Sequence, residues 1–189
     1  MPKPITKFLL FLFFVPTFSL CLPAKANDQG GLDALRAVIE NRLKQMADVA
    51  RYKWDHSIAV EDKEREAAIL VRTVNQAGEL GIESGAANRL VIAQMTAAKM
   101  IQNRLIARWN AKTAEDRKLP PLRDLSTEIR PVISKLTQEL LTSVKALEEE
   151  LLSCSAHIAL AKNRLDSVTN AEWHTAIEGL KPTGLACNQ

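Results

Sequence analysis

An apolar stripe with the period of an α-helix, interrupted by two cations, constrains the fold of this chain most strongly. The stripe begins after Gly31 and consists of Leu32, Leu35, Ile39, Met46 and Val49. This spacing predicts an amphipathic helix. Two further positions on the same stripe are occupied by Arg42 and Lys53, which are 11 residues, or about three helical turns, apart. A buried charge without a partner costs several kcal/mol, so both cations need an anion or water beside them.

The spacing of these cations indicates a gap for a small anionic molecule. At about 1.5 Å of rise per residue their backbones are roughly 16 Å apart, and two long side chains can reach toward each other across that distance. The alternative is that both stems lie along apolar surface at the rim of a helix pair while the charged ends reach water. The sequence of this helix alone does not decide between the two interpretations.

Residues 1–26 have the features of a cleaved secretory signal peptide. Lys3 and Lys7 precede the apolar run 8–15, and Ala24-Lys25-Ala26 resembles a signal peptidase site. The apolar run is too short to span a bilayer. Cleavage here predicts a periplasmic or secreted protein whose mature chain is residues 27–189.

The charge of the mature chain argues against two classes of partner. The whole sequence carries a net charge of +3, but the signal segment holds three lysines and no acidic residue, so the mature chain has no net charge. We therefore expect neither a nucleic-acid partner nor a basic membrane-binding surface. The 163 mature residues are enough for a single domain with a proper core.

Two cysteines, Cys154 and Cys187, remain after cleavage. Because exported proteins meet an oxidising environment, a disulfide between them is the default expectation. The chain-entropy model gives such a bond, closing a loop of about 33 residues, a stabilisation of roughly 3–4 kcal/mol. No metal site is expected, since His56, His157 and His174 share no ligand spacing with either cysteine.

The mature chain is helical throughout, and we predict an all-α, single-domain bundle of about six helices. The expected helices are 31–54, 61–81, 84–112, 124–152, 156–167 and 170–179. Pro120-Pro121 places a surface connection before the fourth helix, and Pro131 is tolerated in that helix's first turns. No mature helix is long and apolar enough to cross a membrane.

Polar side chains border the apolar stripes of three later helices. The second helix opens with Asp62-x-x-Arg65-Glu66, although Asp-x-x-Arg is also a common surface pair. The third helix carries Gln94, Ala98 and Gln102 at intervals of four residues. The two amides either form hydrogen bonds to a ligand or belong to a polar layer between helices.

Arg130 lies early in the fourth helix, where a cation opposes the helix macrodipole. A nearby anion would explain this placement, and ordinary exposure to solvent would explain it nearly as well.

Together these residues describe one pocket of four cations, two amides and a carboxylate. The sequence shows no Ser/His/Asp or Cys/His arrangement for nucleophilic attack and no glycine-rich phosphate loop. A pocket rich in cations and poor in acid–base groups suits a small polycarboxylate. Any catalysis there would act through orientation and electrostatics.

The arrangement resembles the exported, γ-type subclass of helical chorismate mutases across essentially the whole mature chain. The segments that carry the resemblance are Asn41-Arg42-Leu43, Tyr52-Lys53-Trp54, Glu61-Asp62-Lys63-Glu64-Arg65-Glu66, Gln94-Met95-Thr96-Ala97-Ala98-Lys99-Met100-Ile101-Gln102, and Asp124-Leu125-Ser126 leading to Arg130. The late cysteine pair also resembles the disulfide of that subclass. The resemblance implies that residues 27–189 form a chorismate mutase domain that converts chorismate to prephenate without a cofactor.

The resemblance also implies roles for individual residues. Arg42 and Arg130 would bind the substrate carboxylates, with Arg65 assisting, and Lys53 and Gln102 would donate hydrogen bonds to the ether oxygen of the breaking bond. Asp62 and Glu66 would lie near the substrate hydroxyl, and Gln94 and Ala98 would border the substrate. Ala98 stands where some relatives carry Ser or Thr, and Gln102 stands where others carry Glu.

The competing interpretation is an exported helical protein without catalytic activity, such as a small-anion binder or a chaperone. All the predicted pocket residues belong to one chain, so a site needs no second copy. A homodimer through the long helices is compatible with the sequence.

Overall fold

The computed structural model describes residues 28–187, so the predicted signal peptide lies outside the described residues. Six α-helices follow one another: α1 (Asp28–Asp55), α2 (Lys63–Glu79), α3 (Ser84–Asn110), α4 (Arg130–Ala146), α5 (Cys154–Ala161) and α6 (Asn170–Glu178). No β-strand occurs between residues 28 and 187. The predicted all-α architecture with six helices is therefore confirmed.

Local capping chemistry explains where the first helices begin and end. Asp62 caps α2 by accepting a hydrogen bond from the Arg65 backbone N–H at 3.0 Å. Gly81 ends the α2 region with a positive φ of 75°, which glycine adopts without steric cost. The cap of α3 is Glu83, whose carboxylate accepts hydrogen bonds from two backbone N–H groups.

The fourth predicted helix differs from the structure at both ends. Its start is a π-helical turn, Leu125–Ile129, and Arg130 then opens α4 with Pro131 in the first turn. The helix ends at Ala146 rather than near residue 152, and a 3₁₀ turn, Glu150–Leu152, follows. Three consecutive acidic residues, 148–150, would lie at the negative end of a longer helix dipole, which opposes its extension.

The fifth helix is also displaced from its predicted range, 156–167. Ser153 caps α5 through the Ala156 N–H, so the helix begins at Cys154. It ends at Ala161 because the buried Arg36 guanidinium of α1 donates to the carbonyls of Ala159, Leu160 and Lys162. These carbonyls would otherwise lack partners at a helix C-terminus.

The core lies around α1, which packs against α3 and α4, while α3 also packs against α2 and α6. Its largest fully buried side chains are Leu35, Ile39, Ile101, Ile129, Leu141, Leu160 and Trp173. Cys154, at the start of α5, is bonded to Cys187 in the tail after α6, with a Cα–Cα distance of 5.4 Å. The predicted disulfide is therefore present. None of the described helices is long and apolar enough to cross a membrane.

Candidate active site

A cavity of about 500 Å³ opens between α1, α2, α3 and the start of α4. All nine residues predicted from the sequence to form the pocket line it: Arg42, Lys53, Asp62, Arg65, Glu66, Gln94, Ala98, Gln102 and Arg130. The structure thus brings together residues that are up to 88 positions apart in the chain. Their individual contacts differ.

Arg42 is held by neutral acceptors. Its Nε donates to Gln94 Oε1 at 3.1 Å, and its Nη1 donates to the Ile133 carbonyl at 3.3 Å and to Thr137 Oγ1. Burial lowers the pKa of Arg42 to about 10, so the guanidinium is charged at neutral pH. Within residues 28–187 no carboxylate forms an ion pair with it. Its positive charge is therefore available to an anionic ligand.

Lys53, in the last turn of α1, points into the same cavity. Its Nζ donates to the Val60 carbonyl at 2.7 Å, which fixes the ammonium with a single neutral contact. Burial lowers the pKa of Lys53, and this effect outweighs the opposing influence of the Asp62 and Glu66 carboxylates. Burial therefore decides the direction of the shift, despite the two acidic groups nearby.

Arg65 and Arg130 complete the set of four cations. Arg130 Nη1 donates to Ser126 Oγ at 3.2 Å. Burial lowers the pKa of Arg65, and the positive charges of Arg130 and Arg72 lower it further. Neither Arg65 nor Arg130 forms an ion pair in the described part of the chain. Because the positive charges of these arginines repel one another, an anion that contacts more than one of them would be favourable.

Two arginines outside the cavity show the opposite behaviour. Arg104 pairs with Glu172 at 2.7 Å, and Arg123 pairs with Asp48 at 2.7 Å. The unpaired state of Arg42, Arg65 and Arg130 in the cavity contrasts with these two ion pairs.

Asp62 and Glu66 have structural contacts in addition to their predicted position by the substrate. Glu66 Oε1 accepts from the Asp62 backbone N–H at 3.2 Å, so the two carboxylates cap the start of α2 reciprocally. Glu66 Oε2 also accepts from Lys99 Nζ at 2.7 Å. This hydrogen bond is the main reason why the pKa of Glu66 is lowered.

Lys99 and Arg72 are cavity residues to which the sequence analysis assigned no role. Lys99 follows Ala98 directly and lies on the face of α3 that meets α2. Arg72 is seven residues, or two turns, after Arg65 on α2, and this spacing was the available signal.

The two glutamines of α3 behave differently. Gln102 is 6% exposed. Its Nε2 donates to the Ala98 carbonyl at 3.1 Å and faces Met46 Sδ at 3.6 Å, while its Oε1 is buried without a partner. Gln94 is 3% exposed and joins three helices, because its Oε1 accepts from Arg42 and its Nε2 donates to the Ala176 carbonyl of α6 at 2.9 Å. Gln94 therefore forms hydrogen bonds between helices while it also lines the cavity.

The balance of charge defines the chemistry of the cavity. Six cations line it, Arg42, Lys53, Arg65, Arg72, Lys99 and Arg130, against the two carboxylates of Asp62 and Glu66. The lining contains no His or Cys. No cluster of metal-ligating side chains forms among the residues that the structure describes. Fold and cavity together define an all-helical protein with a cavity whose lining carries an excess of positive charge.

Comparison with known proteins shows which family the chain resembles. Residues 33–103 match the family model "Chorismate mutase type II". The chain is 29% identical over 146 residues to a secreted chorismate mutase from Yersinia pestis, covering 77% of each protein. It is 34% identical over 113 residues to a monofunctional chorismate mutase from Enterobacter agglomerans, covering 60% of each.

The fold comparison agrees. A crystal structure of chorismate mutase from Burkholderia thailandensis superposes with a TM-score of 0.71 at 27% identity, covering 79% of this chain and 98% of that one. Residues 33–103 thus match the chorismate mutase type II family model, and the chain is similar in sequence and in fold to known chorismate mutases.

Proposed function

We propose that the domain converts chorismate to prephenate in the cavity between α1, α2, α3 and α4. The observation that carries this proposal is the set of four cations that face one cavity without carboxylate partners among residues 28–187. Chorismate carries two carboxylates, and the cavity lining has four more positive than negative side chains. A dianion therefore meets a complementary field in the site.

Arg42 and Arg130 bind the two substrate carboxylates in this proposal, and Arg65 assists. The reaction is a [3,3] rearrangement in which one C–O bond breaks and one C–C bond forms within the same molecule. It needs no proton transfer and no covalent intermediate. Holding the flexible dianion in its reactive conformation is therefore a large part of the catalytic effect, and paired guanidinium contacts are suited to this.

Lys53 and Gln102 stabilise the negative charge that develops on the ether oxygen. The second N–H of Gln102 faces Met46 Sδ, a weak acceptor that an ether oxygen with partial negative charge would replace. Asp62 and Glu66 are placed near the substrate hydroxyl, and the Ala98 methyl group borders the substrate without a hydrogen bond. Removing one preorganised donor of this kind typically costs 10²–10³ in rate.

We also propose that the enzyme works outside the cytoplasm, in the periplasm or after secretion. The signal features of residues 1–26 and the disulfide support this, as does the relative from Yersinia pestis that is named as secreted. Because all nine site residues come from one chain, each chain can hold a complete site whether the protein is a monomer or a homodimer.

The test is a continuous absorbance assay of chorismate loss by the exported protein, with prephenate identified by NMR. We expect turnover that a chelator does not reduce, because the chemistry requires no metal. Tight binding of chorismate without turnover would instead support the non-catalytic small-anion binder.

A further inference from the structure

We propose that Gln94 is a positioning residue that aims the Arg42 guanidinium at the substrate and makes α6 part of the active-site support. This inference rests on the proposed function. It concerns a residue whose amide is fully engaged with protein groups, and a helix that lies beyond the matched family segment 33–103.

The orientation of the Gln94 amide is fixed by its two partners. Arg42 Nε can only donate a hydrogen bond, and the Ala176 carbonyl can only accept one. The Gln94 oxygen must therefore face Arg42 and its nitrogen must face Ala176, at 3.1 and 2.9 Å. No other orientation satisfies both contacts, and at 3% exposure the amide has no alternative partner in solvent.

Arg42 depends on this hydrogen bond because its other hydrogen bonds all come from Nη1 and go to α4. Nη1 is held by Ile133 and Thr137 of α4, and Nε by Gln94 of α3. Among residues 28–187 no acceptor contacts Nη2. The guanidinium plane is thus fixed by two helices, and its remaining edge is left for a carboxylate.

The Ala176 carbonyl is available because it lies in the last turn of α6, which ends at Glu178. Leu180 N, the group that would continue the helical pattern to Ala176, donates to the Ile177 carbonyl instead. Without Gln94 this carbonyl would be a buried acceptor with no helical partner.

The position of α6 is itself set by tight contacts with α3. Glu172 accepts from Arg104 Nε at 2.7 Å and from Nη2 at 3.0 Å. Gly179 lies so close to α3 that a Cβ there would be 2.5 Å from the Arg89 carbonyl oxygen. Close contacts therefore hold α6 against α3, and hydrogen bonds of normal length connect α6 to Gln94 and Gln94 to Arg42.

Gln94→Glu tests this role directly. The introduced carboxylate would still accept from Arg42, but it would offset the guanidinium charge and could not donate to Ala176. Among the described residues, Arg42 is the charged group that bonds to this position; α6 supplies the Ala176 carbonyl, and α4 supplies the Thr137 hydroxyl to Arg42. We expect KM for chorismate to rise about tenfold to a hundredfold at pH 8, with a smaller change in kcat.

Lowering the pH should reverse the effect. A protonated carboxyl group has the same pattern as the amide, with an O–H that donates to Ala176 and a carbonyl that accepts from Arg42. The ratio of variant to wild-type KM should therefore fall as the pH is lowered toward and below about 4.3, the ordinary pKa of a glutamate, because the adjacent Arg42 charge favours the ionised form. A role in stability alone would change the melting temperature without this return of KM.

Two further variants complete the test. Asn103→Asp makes the same change of amide to acid on the exposed side of α3, outside the cavity, and should leave KM unchanged at every pH. Gln94→Met removes the contact without adding charge, so its KM should be raised about threefold to tenfold independently of pH. It also carries the test if Gln94→Glu does not fold.

The outcomes are distinct. A wild-type KM for Gln94→Met, or a KM ratio for Gln94→Glu that is one across the pH range, would overturn the positioning role. Failure of the wild-type protein to convert chorismate in the same assay would instead overturn the proposed function.

Discussion

Replacing Lys53 by Met tests the electrostatic part of the mechanism. The substitution keeps a long side chain but removes the ammonium group that the Val60 carbonyl holds at 2.7 Å in the cavity. In the proposed reaction this group meets charge that exists mainly in the transition state, so its loss should affect kcat more than KM. The substrate carboxylates are present in the ground state too, and they are assigned to the arginines.

The expected magnitude follows from comparable donors. A preorganised hydrogen-bond donor at a developing oxyanion contributes about 2.7–4 kcal/mol, or a factor of 10²–10³ in kcat. Lys53 is partly buried, and its one direct hydrogen bond is to a neutral carbonyl rather than to a carboxylate. We expect a fall in kcat of at least about a hundredfold in the absorbance assay, with KM changed by less than about tenfold.

The pH dependence gives a second measure of the same group. Burial lowers the pKa of Lys53 below its ordinary value of 10.5. The protonated form is the active one, so wild-type kcat should be nearly flat from about pH 5 to pH 8 and should fall as the pH rises through the lowered pKa. This alkaline decline should be absent in Lys53→Met.

The matched control is Lys44→Met, an exposed lysine of α1 outside the cavity, which should behave as wild type. A loss of less than tenfold in Lys53→Met, or an unchanged alkaline decline in that variant, would refute the assignment of Lys53 to the ether oxygen.

Three other predictions follow from the structure. Gln102→Glu should give an acid-favouring rate profile with a large loss at neutral pH, because only a protonated carboxyl can donate; pH–rate profiles that overlay those of wild type would place Gln102 away from the ether oxygen. Arg104→Gln should lower stability by about 1–3 kcal/mol at pH 7, or roughly 3–10 °C in a thermal melt, because Glu172 is 2% exposed and loses its cationic partner. Burial raises the pKa of Glu172, but hydrogen bonds from Arg104 and the backbone lower it more, so the pKa is lowered overall. The stabilisation from this pair is therefore fully present above the ordinary pKa of a glutamate, and it is lost as the pH falls through the lowered pKa of Glu172. Reducing the Cys154–Cys187 bond should cost roughly 3–4 kcal/mol of stability yet leave kcat at 25 °C within about twofold, since neither cysteine lines the cavity; two free thiols in native protein by mass spectrometry would contradict this.

The sequence alone determined the number of helices and nine residues of the cavity lining, but it did not determine the ends of α4 and α5 or the presence of Arg72 and Lys99 in the cavity. Helical periodicity is a local property, so the apolar stripe of α1 and its two interrupting cations could be recognised without the fold. The caps of α2 and α3 are likewise local, because the capping side chain and its backbone partners are within four residues of each other. A charge on an apolar stripe must face water or a ligand, and this requirement led to the cavity residues.

Tertiary structure decided which partner each polar group takes. Arg36 ends α5 from more than 120 residues away, so the helix is shorter than its own sequence pattern indicates. Lys99 binds Glu66 only because α2 and α3 pack side by side. Gln94 faces Arg42 because a carbonyl 82 residues further along the chain fixes its amide. Hydrogen bonds act over about 3 Å, so a choice among several chemically suitable partners is settled only when packing brings one of them within reach.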